Sequence, residues 1–561
     1  MYADLHCHPG AVAYDQNRFS GNVKQKLSLD PWNIPQSNLQ GQRRGMRAID
    51  YSQCDLAKST KAGVKLMFAA LYPIEKGFFA GISGGKMGKK KITEYYRRVA
   101  TEGEILAIEW LVSSLRTQPG VEKLETAALD FLQDRNLNLS FERIQYIQNG
   151  NYDYFEELKR EYKFYLTKAG QPAITSQQLQ LEPEGLRKNW EGCYQLAQDG
   201  NDVTEKIESI NKDVVMVFTI DGIHSLGVGN PEDESLRPGE VRKDVSISKL
   251  RSRIRQLKGE EPLDDAELKV WEHRPFFITF AHHFNNSLCG HAHSLSSASR
   301  LVFDQRKNMD KGVIKHATYE VMQELLGLDT ELNVTGSKRI LIDVKHMSAA
   351  SRFDFYNRVI RPFNNKKENY DIKIPIIASH VGFSGVASLQ DQINNAYNGK
   401  EDDNFRINRF NAWNINLCDE DVIEIHKSRG LIGLSFDQRI LGADRLIWFV
   451  NLPINTTIRK QAMNAFGRTI EEFVRIPFAY NLENPTSIWD ELCLGTDFEG
   501  FIDPINRYNT VLQFRTFEED LIEILNKLKR QQPRWFDGYT SEVLARKICF
   551  ENAYGFVKRH Y

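Results

Sequence analysis

Net charge is almost absent from this chain: 73 basic residues stand against 74 acidic ones, leaving a formal charge of -1. Such a balance gives no electrostatic footing for nucleic acid or an anionic membrane, so neither is expected as a partner. Long apolar runs are missing as well. The longest are strand-sized, short of the roughly 18 residues that cross a bilayer, and no transmembrane segment is expected. Paired cysteines are also lacking. The seven (Cys7, Cys54, Cys193, Cys289, Cys418, Cys493 and Cys549) are scattered, odd in number and never spaced as Cys-x-x-Cys. That argues against a disulfide framework or a zinc ribbon and for buried, reduced thiols. No leader is visible, because Met1 runs straight into Tyr2-Ala-Asp-Leu-His6, which already reads as structure. A cytoplasmic location is the resulting expectation. No internal repeat or low-complexity segment breaks the chain.

What is present is a soluble globular composition, 41% hydrophobic and 26% charged. Eight short apolar runs bounded by turn residues stand out: Tyr2–Leu5, Val64–Leu71, Val214–Ile220, Phe276–Ala281, Ile340–Val344, Pro375–Ser379, Leu431–Phe436 and Leu492–Thr496. Unbroken apolar runs mark strands buried on both faces. Amphipathic stretches lie between most of them. This is the rhythm of a parallel α/β sheet, and eight strands point to a (β/α)8 TIM-type barrel, with an open doubly wound sheet as the alternative. Residues 1–75 and 211–561 would form the barrel.

About 140 residues separate the second run from the third, where one β-α unit needs only about 30. The excess reads as helical. Ile105, Ile108, Leu111, Val112 and Leu115 share one helical face that ends at Pro119-Gly120. Asp153 can cap a second helix with the stripe Phe155, Leu158, Tyr162 and Tyr165, stopped near Gly170. Residues 76–210 are therefore expected to be an inserted helical subdomain. Smaller insertions are expected at 385–411 and 442–490. The glycine- and lysine-rich segment Gly81–Lys91 lacks the Gly-Lys-Ser/Thr ending of a phosphate loop and reads as a mobile, basic surface loop.

The chemical signal is positional. His6 and His8 follow the first run, Asp221 the third, His282 and His283 the fourth, His346 the fifth, His380 the sixth and Asp497 the eighth. In a parallel barrel all of these lie at one end. Each taken alone reads as a packed histidine or a turn-capping aspartate. With only 13 histidines in the chain, their gathering at strand ends points instead to a divalent cation, since imidazole and carboxylate suit Zn²⁺. Residues two apart on a strand face the same way, so His6 and His8 can grip one ion. Cys289-Gly-His291-Ala-His293 has metal-like spacing but reads as a mobile loop lining the site.

Taken in order, Asp4-Leu-His6-Cys-His8, Thr219-Ile-Asp221-Gly-Ile-His224, Thr279-Phe-Ala-His282-His-Phe-Asn285-Asn286, Ile342-Asp-Val-Lys-His346-Met-Ser348, Ala378-Ser-His380 and Gly495-Thr-Asp497-Phe-Glu-Gly500 resemble the membrane (renal) dipeptidase family of the amidohydrolase superfamily. The stretch from Asn414 to Leu434 is similar to its seventh β-α unit, and Glu551–Arg559 to its closing helix. The resemblance implies a zinc dipeptidase-like hydrolase with two metal ions and a short peptide or other small molecule as substrate. His6, His8 and Asp497 would hold one zinc, His346 and His380 the other, and Asp221 stands where the family has a bridging glutamate. A hydroxide between the metals would be the nucleophile, with Asp497 passing its proton to the leaving amine. His282 would contact the substrate and stabilise the oxyanion, with His283 and Asn285 as further substrate contacts. Three departures are visible. The family has His-x-Asp after the first strand, the bridge here is an aspartate, and no arginine follows His380, where the family uses one to grip a substrate carboxylate. The nearest are Arg406 and Arg409. Other amidohydrolase activities (lactonase, deaminase, phosphoesterase) and a catalytically degenerate binding barrel stay open, as does assembly into a homo-oligomer.

Overall fold

A computed structural model of the chain describes residues 1–14, 30–32, 52–79, 143, 146–147, 152–174, 191–209, 213–229, 245–294, 305–395, 410–442, 456–500, 502, 504–505 and 508–561. Eight parallel strands form a nearly closed barrel: β1 (Tyr2–Cys7), β2 (Val64–Leu71), β3 (Val214–Ile220), β4 (Phe277–Thr279), β5 (Leu341–Asp343), β6 (Ile377–Val381), β7 (Leu431–Leu434) and β8 (Leu492–Leu494). Each of the eight apolar runs supplies one strand. Helices follow the strands on the outside, among them α1 (Leu56–Ala62), α2 (Tyr154–Leu166), α3 (Gly200–Glu208), α4 (Ile247–Leu257), α5 (Thr318–Leu326), α6 (Ala349–Phe355), α7 (Asp419–Ser428), α8 (Thr456–Ala479), α9 (Phe514–Gln531) and α10 (Asn552–His560). This is a (β/α)8 barrel.

The strand alternation builds the interior in layers. Ala3, Leu5, Leu66, Phe68, Val215, Val217, Phe277, Leu341, Ile377, Leu431 and Cys493 form one buried cluster with Phe550, Ala553, Phe556 and Val557. Every strand contributes, so this cluster is the barrel's inner base, and α10 plugs it from below. The alternate residues, such as Met67, Met216 and Phe218, join the larger core under the helices. Asn552 fixes the plug, with its amide donating 2.7 Å bonds to the carbonyls of Trp489 and Leu492.

Two residues further along the inward register the layer turns small and polar. It holds Thr219, Thr279, Asp343, Ser379, Gly433 and Gly495. The buried Asp343 carboxylate accepts from Thr279 Oγ1 (2.8 Å), Ser379 Oγ (2.6 Å) and Ser379 N (2.9 Å), tying β4, β5 and β6 together. A Cβ at Gly433 or Gly495 would fall within 2 Å of the Ser379 carbonyl oxygen, so this layer has no room for larger residues.

Asp4 performs the same service at the seam. Its carboxylate accepts from Thr496 N (2.9 Å) and Thr496 Oγ1 (2.5 Å) across to the β8 side, and from His6 N (3.3 Å) on its own strand. Beyond it, Asp497 N donates to His6 O (2.9 Å) and His8 N to Phe498 O (3.0 Å). The β1–β2 ladder shifts register between Asp4 and Cys7. That slip turns the alternation over after Leu5, so His6 and His8 face the mouth.

Between β2 and β3 the described residues are only partly helical. Helix α2 forms as the sequence predicts, with Asp153 accepting from Phe155 N and Glu156 N, and its four stripe residues are buried. Tyr194–Leu196, however, is a strand that pairs in parallel with Val214–Met216 of β3. The helix expected around Ile105–Leu115, the Gly81–Lys91 segment, Arg406 and Arg409 lie outside the described residues. All seven cysteines are free. Among the described residues no helix is long and apolar enough to cross a membrane.

Replacing Asp4 by alanine leaves three buried donors unpaired at the seam, and about 3 kcal/mol or more of unfolding free energy should be lost. Burial pushes the Asp4 carboxyl up to about 6 from 3.8. The folded chain therefore holds the extra proton between those values, and Asp4's contribution declines as pH rises through that window. Urea denaturation of wild type and Asp4→Ala at pH 4 and pH 6 should show the gap narrowing at the higher pH.

Candidate metal centre

The mouth of the barrel gathers candidate ligand side chains from six of its eight strand ends. His6 lies within β1, His8 just after it, Asp221 directly after β3, His282 and His283 after β4, His346 after β5, His380 within β6 and Asp497 after β8. Tyr72 follows β2 and Asp437 follows β7, and both line the same cavity with Phe78, Lys345, Arg439 and Ile440.

Local backbone aims these groups. His346 and Asp497 both adopt left-handed conformations (φ 64° and 63°), uncommon outside glycine. A single such residue at a strand's end turns the side chain over the barrel instead of along the wall. His346 is braced in this pose by Ala292 N, which donates to its carbonyl at 2.7 Å. The segment around Ala292 is thus no mobile loop. His291 and His293 are buried, His291 Nε2 meets the Gln305 carbonyl at 3.0 Å, and His293 packs edge-on against Trp413. Neither histidine lines the cavity.

The ligand atoms cluster tightly. Those of His6, His8 and Asp221 lie within 4.8 Å of one another, as do those of His6, His380 and Asp497, and those of His282, His283 and His346. His6 Nε2 is 3.6 Å from Asp221 Oδ2 and 3.7 Å from Asp497 Oδ1, and His8 Nε2 is 3.7 and 3.8 Å from the same two atoms. His380 Nε2 lies 3.7 Å from Asp497 Oδ2. These separations are long for hydrogen bonds. Two ligands about 2.1 Å from one tetrahedral ion stand about 3.4 Å apart, close to what is found here. The Nε2 atoms of His6 and His8 and Oδ1 of Asp221 are buried without a hydrogen-bond partner. Buried nitrogens and oxygens normally have one, and a divalent cation satisfies all three at once. The residues therefore fit the ion. His8 Nδ1 contacts the Ala70 carbonyl at 3.1 Å and His380 Nδ1 the Ser379 hydroxyl at 2.8 Å, which orients both rings.

Protonation suits the same purpose. Burial, reinforced by His6, pushes His8 down to about 3. Burial with His282 and Lys345 holds His346 well below the ordinary range, and burial with His6 and Lys345 does the same to His380. These imidazoles stay neutral, the form that binds a cation. Burial pushes Asp497 up to about 7.

His282 differs. Its Nδ1 lies 2.6 Å from Glu75 Oε2 and its Nε2 3.1 Å from Asp221 Oδ2. Burial opposes charge on the ring, but Asp221 and Glu75 outweigh it and raise the pKa to about 10. Glu75 also accepts from the backbone N–H groups of His283 (3.3 Å) and Phe284 (3.1 Å), so it fixes the whole strand end. The sequence gives no motif for Glu75; four residues past β2 in a barrel is its only signal. Asn285, expected to contact substrate, is not brought to the cavity. Its Oδ1 accepts from Ser287 N (2.9 Å) and Asn308 Nδ2 (2.8 Å), and it shapes a turn.

No family model matches the chain, and no curated relative matches it. Among solved structures, it is similar to a metallopeptidase from Rhodobacter sphaeroides bound to a phosphinate mimic of L-Ala-D-Ala, at 12% identity and a TM-score of 0.43, covering 100% of this chain and 99% of that one. It is similar to dipeptidase AC, a metallopeptidase, at 11% identity and 0.41, covering 91% and 90%. A probable dipeptidase from Pseudomonas aeruginosa matches at 12% identity and 0.38, over 91% and 90%. At these values the likenesses carry no argument about function, which rests on the site itself.

Glu75→Gln should lower the titration midpoint of His282 by on the order of one pH unit, because the nearer of its two carboxylates loses its charge. Histidine NMR of the metal-free protein reads this directly, and an unmoved midpoint would refute the clamp.

Proposed function

We propose that this chain is a metal-dependent hydrolase that holds two divalent cations, zinc by the chemistry of its ligands, and cleaves a peptide or similar amide bond. The observation that carries this reading is the convergence of buried, partnerless ligand atoms of His6, His8 and Asp221 beside His346, His380 and Asp497. His6, His8 and Asp497 would hold one ion, His346 and His380 the other, with Asp221 between them. A divalent cation bound there acidifies water and polarises a carbonyl.

The protein's own groups supply the rest. Asp497 would take a proton from the attacking water at a carboxylate oxygen and return it to the leaving amine nitrogen. His282, clamped by Glu75 at Nδ1, would offer its Nε2–H, which meets Asp221 Oδ2 at 3.1 Å, to the carbonyl oxygen once Asp221 is drawn to the cations. Water is added across the amide, releasing a carboxylate and an amine. His283 lines the same cavity and would be a further substrate contact.

Purified protein should contain about two zinc equivalents by elemental analysis, and chelation should abolish hydrolysis that added zinc restores. His346→Ala should cost more than about a hundredfold in kcat/KM, since even outer-shell partners of metal ligands cost up to that much. A panel of dipeptides, N-acyl amino acids, lactones and phosphomonoesters identifies the bond cleaved. A chain that stays metal-free after purification in zinc would overturn the proposal.

A further inference from the structure

Lys345 occupies an unusual position. It follows Leu341 and Asp343 in the inward register of β5, as Asp221 follows Val217 and Thr219 on β3 and Asp497 follows Cys493 and Gly495 on β8. Its backbone N–H is fixed to Asp343 Oδ1 at 3.0 Å. The residue is 2% exposed, lines the cavity, and its ammonium has no hydrogen-bond partner among the described residues. Burying an ammonium is unfavourable unless an anion meets it.

Four carboxylates are near enough to attract it, Asp497, Asp437, Asp343 and Asp221, and Asp343 is already held by Thr279 and Ser379. None is left to neutralise it in the working site. Asp437 is engaged side-on by Arg439, with Nε to Oδ1 at 3.0 Å and Nη2 to Oδ2 at 2.8 Å. Asp221 and Asp497, on the function proposed above, are committed to the cations. Binding those cations leaves Lys345 facing the cavity with its charge uncompensated. We propose that Lys345 is a specificity-determining residue that binds a carboxylate of the substrate beside the bond to be cleaved. The inference rests on the hydrolase reading for the role of the two aspartates. It gives the substrate class as an anionic peptide or N-acyl amino acid.

The test compares alanyl-alanine with its C-terminal amide on the zinc-loaded full chain, wild type, Lys345→Met and Lys345→Arg. Wild type should favour the free carboxylate. Lys345→Met should raise KM for that substrate roughly tenfold or more, the worth of one charge-assisted hydrogen bond, and leave the amide's KM and both kcat values nearly unchanged. Lys345→Arg should recover part of the preference. Calorimetric titration of both ligands separates this inference from the hydrolase reading. If nothing is cleaved but Lys345→Met erases a carboxylate preference in binding, the hydrolase reading falls and the lysine's role stands. If hydrolysis proceeds with equal losses on both substrates, or wild type shows no preference, the lysine's role falls and the hydrolase stands. A changed zinc content in Lys345→Met would assign the lysine to the ion cluster and overturn the inference. Should Lys345→Met not fold, the wild-type comparison and Lys345→Arg still decide.

Discussion

The Asp4 carboxylate, buried between the first strand and the last, is the contact on which the remainder of the molecule depends. It holds Thr496 by backbone and side chain at once, and the two main-chain bonds just beyond it bring Asp497 against His6 and Phe498 against His8. Without that junction the sheet is an open row of strands, with His6 and His8 at one edge and Asp497 at the other. Asp343 matches it on the opposite wall, where it gathers Thr279 and Ser379 and so sets the spacing of the ends that bear His282, His346 and His380. Both aspartates lie below the mouth. The apolar base and the ionisable rim are thus separated by a thin layer of small polar groups that fixes geometry without contributing ligands.

Electrostatics at the rim follow from that depth. Water is largely excluded, so the imidazoles of His8, His346 and His380 lose their protons and are left in the form that can bind a cation, while His282 keeps its proton because two carboxylates flank it. Neighbouring histidines are thereby driven toward different tasks by their surroundings alone. The left-handed residues His346 and Asp497 hold conformations that cost of order 1 kcal/mol or more each, which the rigid wall beneath them sustains.

Much of the barrel was legible in the sequence because its strands are buried on both faces and leave continuous apolar runs. Their ends were less legible. β1 and β6 continue into His6 and His380, since polar ligands interrupt the apolar signal before the ladder stops. Tyr194–Leu196 left no trace as a strand: it is three residues long, has a glutamine at its centre, and gains its conformation from pairing with β3. The site histidines were visible through their positions after strands. Glu75 and Lys345 were not, because a single charged residue has no pattern until the fold shows what surrounds it. Asn285 misled for the opposite reason. Its place in a motif suggested a contact, whereas asparagine in a turn more often serves its own backbone.

The span of the ligand set has a consequence for synthesis. His6 and Asp497 stand 491 positions apart in the sequence, yet their side chains meet at 3.7 Å. Contacts so distant in sequence form late, after the loop-closure entropy of nearly the entire chain has been overcome. A nascent or truncated chain therefore carries neither a closed seam nor a complete ion-binding set. Whatever chemistry the mouth performs is withheld until the last strand has been made and has met the first, so a growing polypeptide without that strand cannot act on its surroundings.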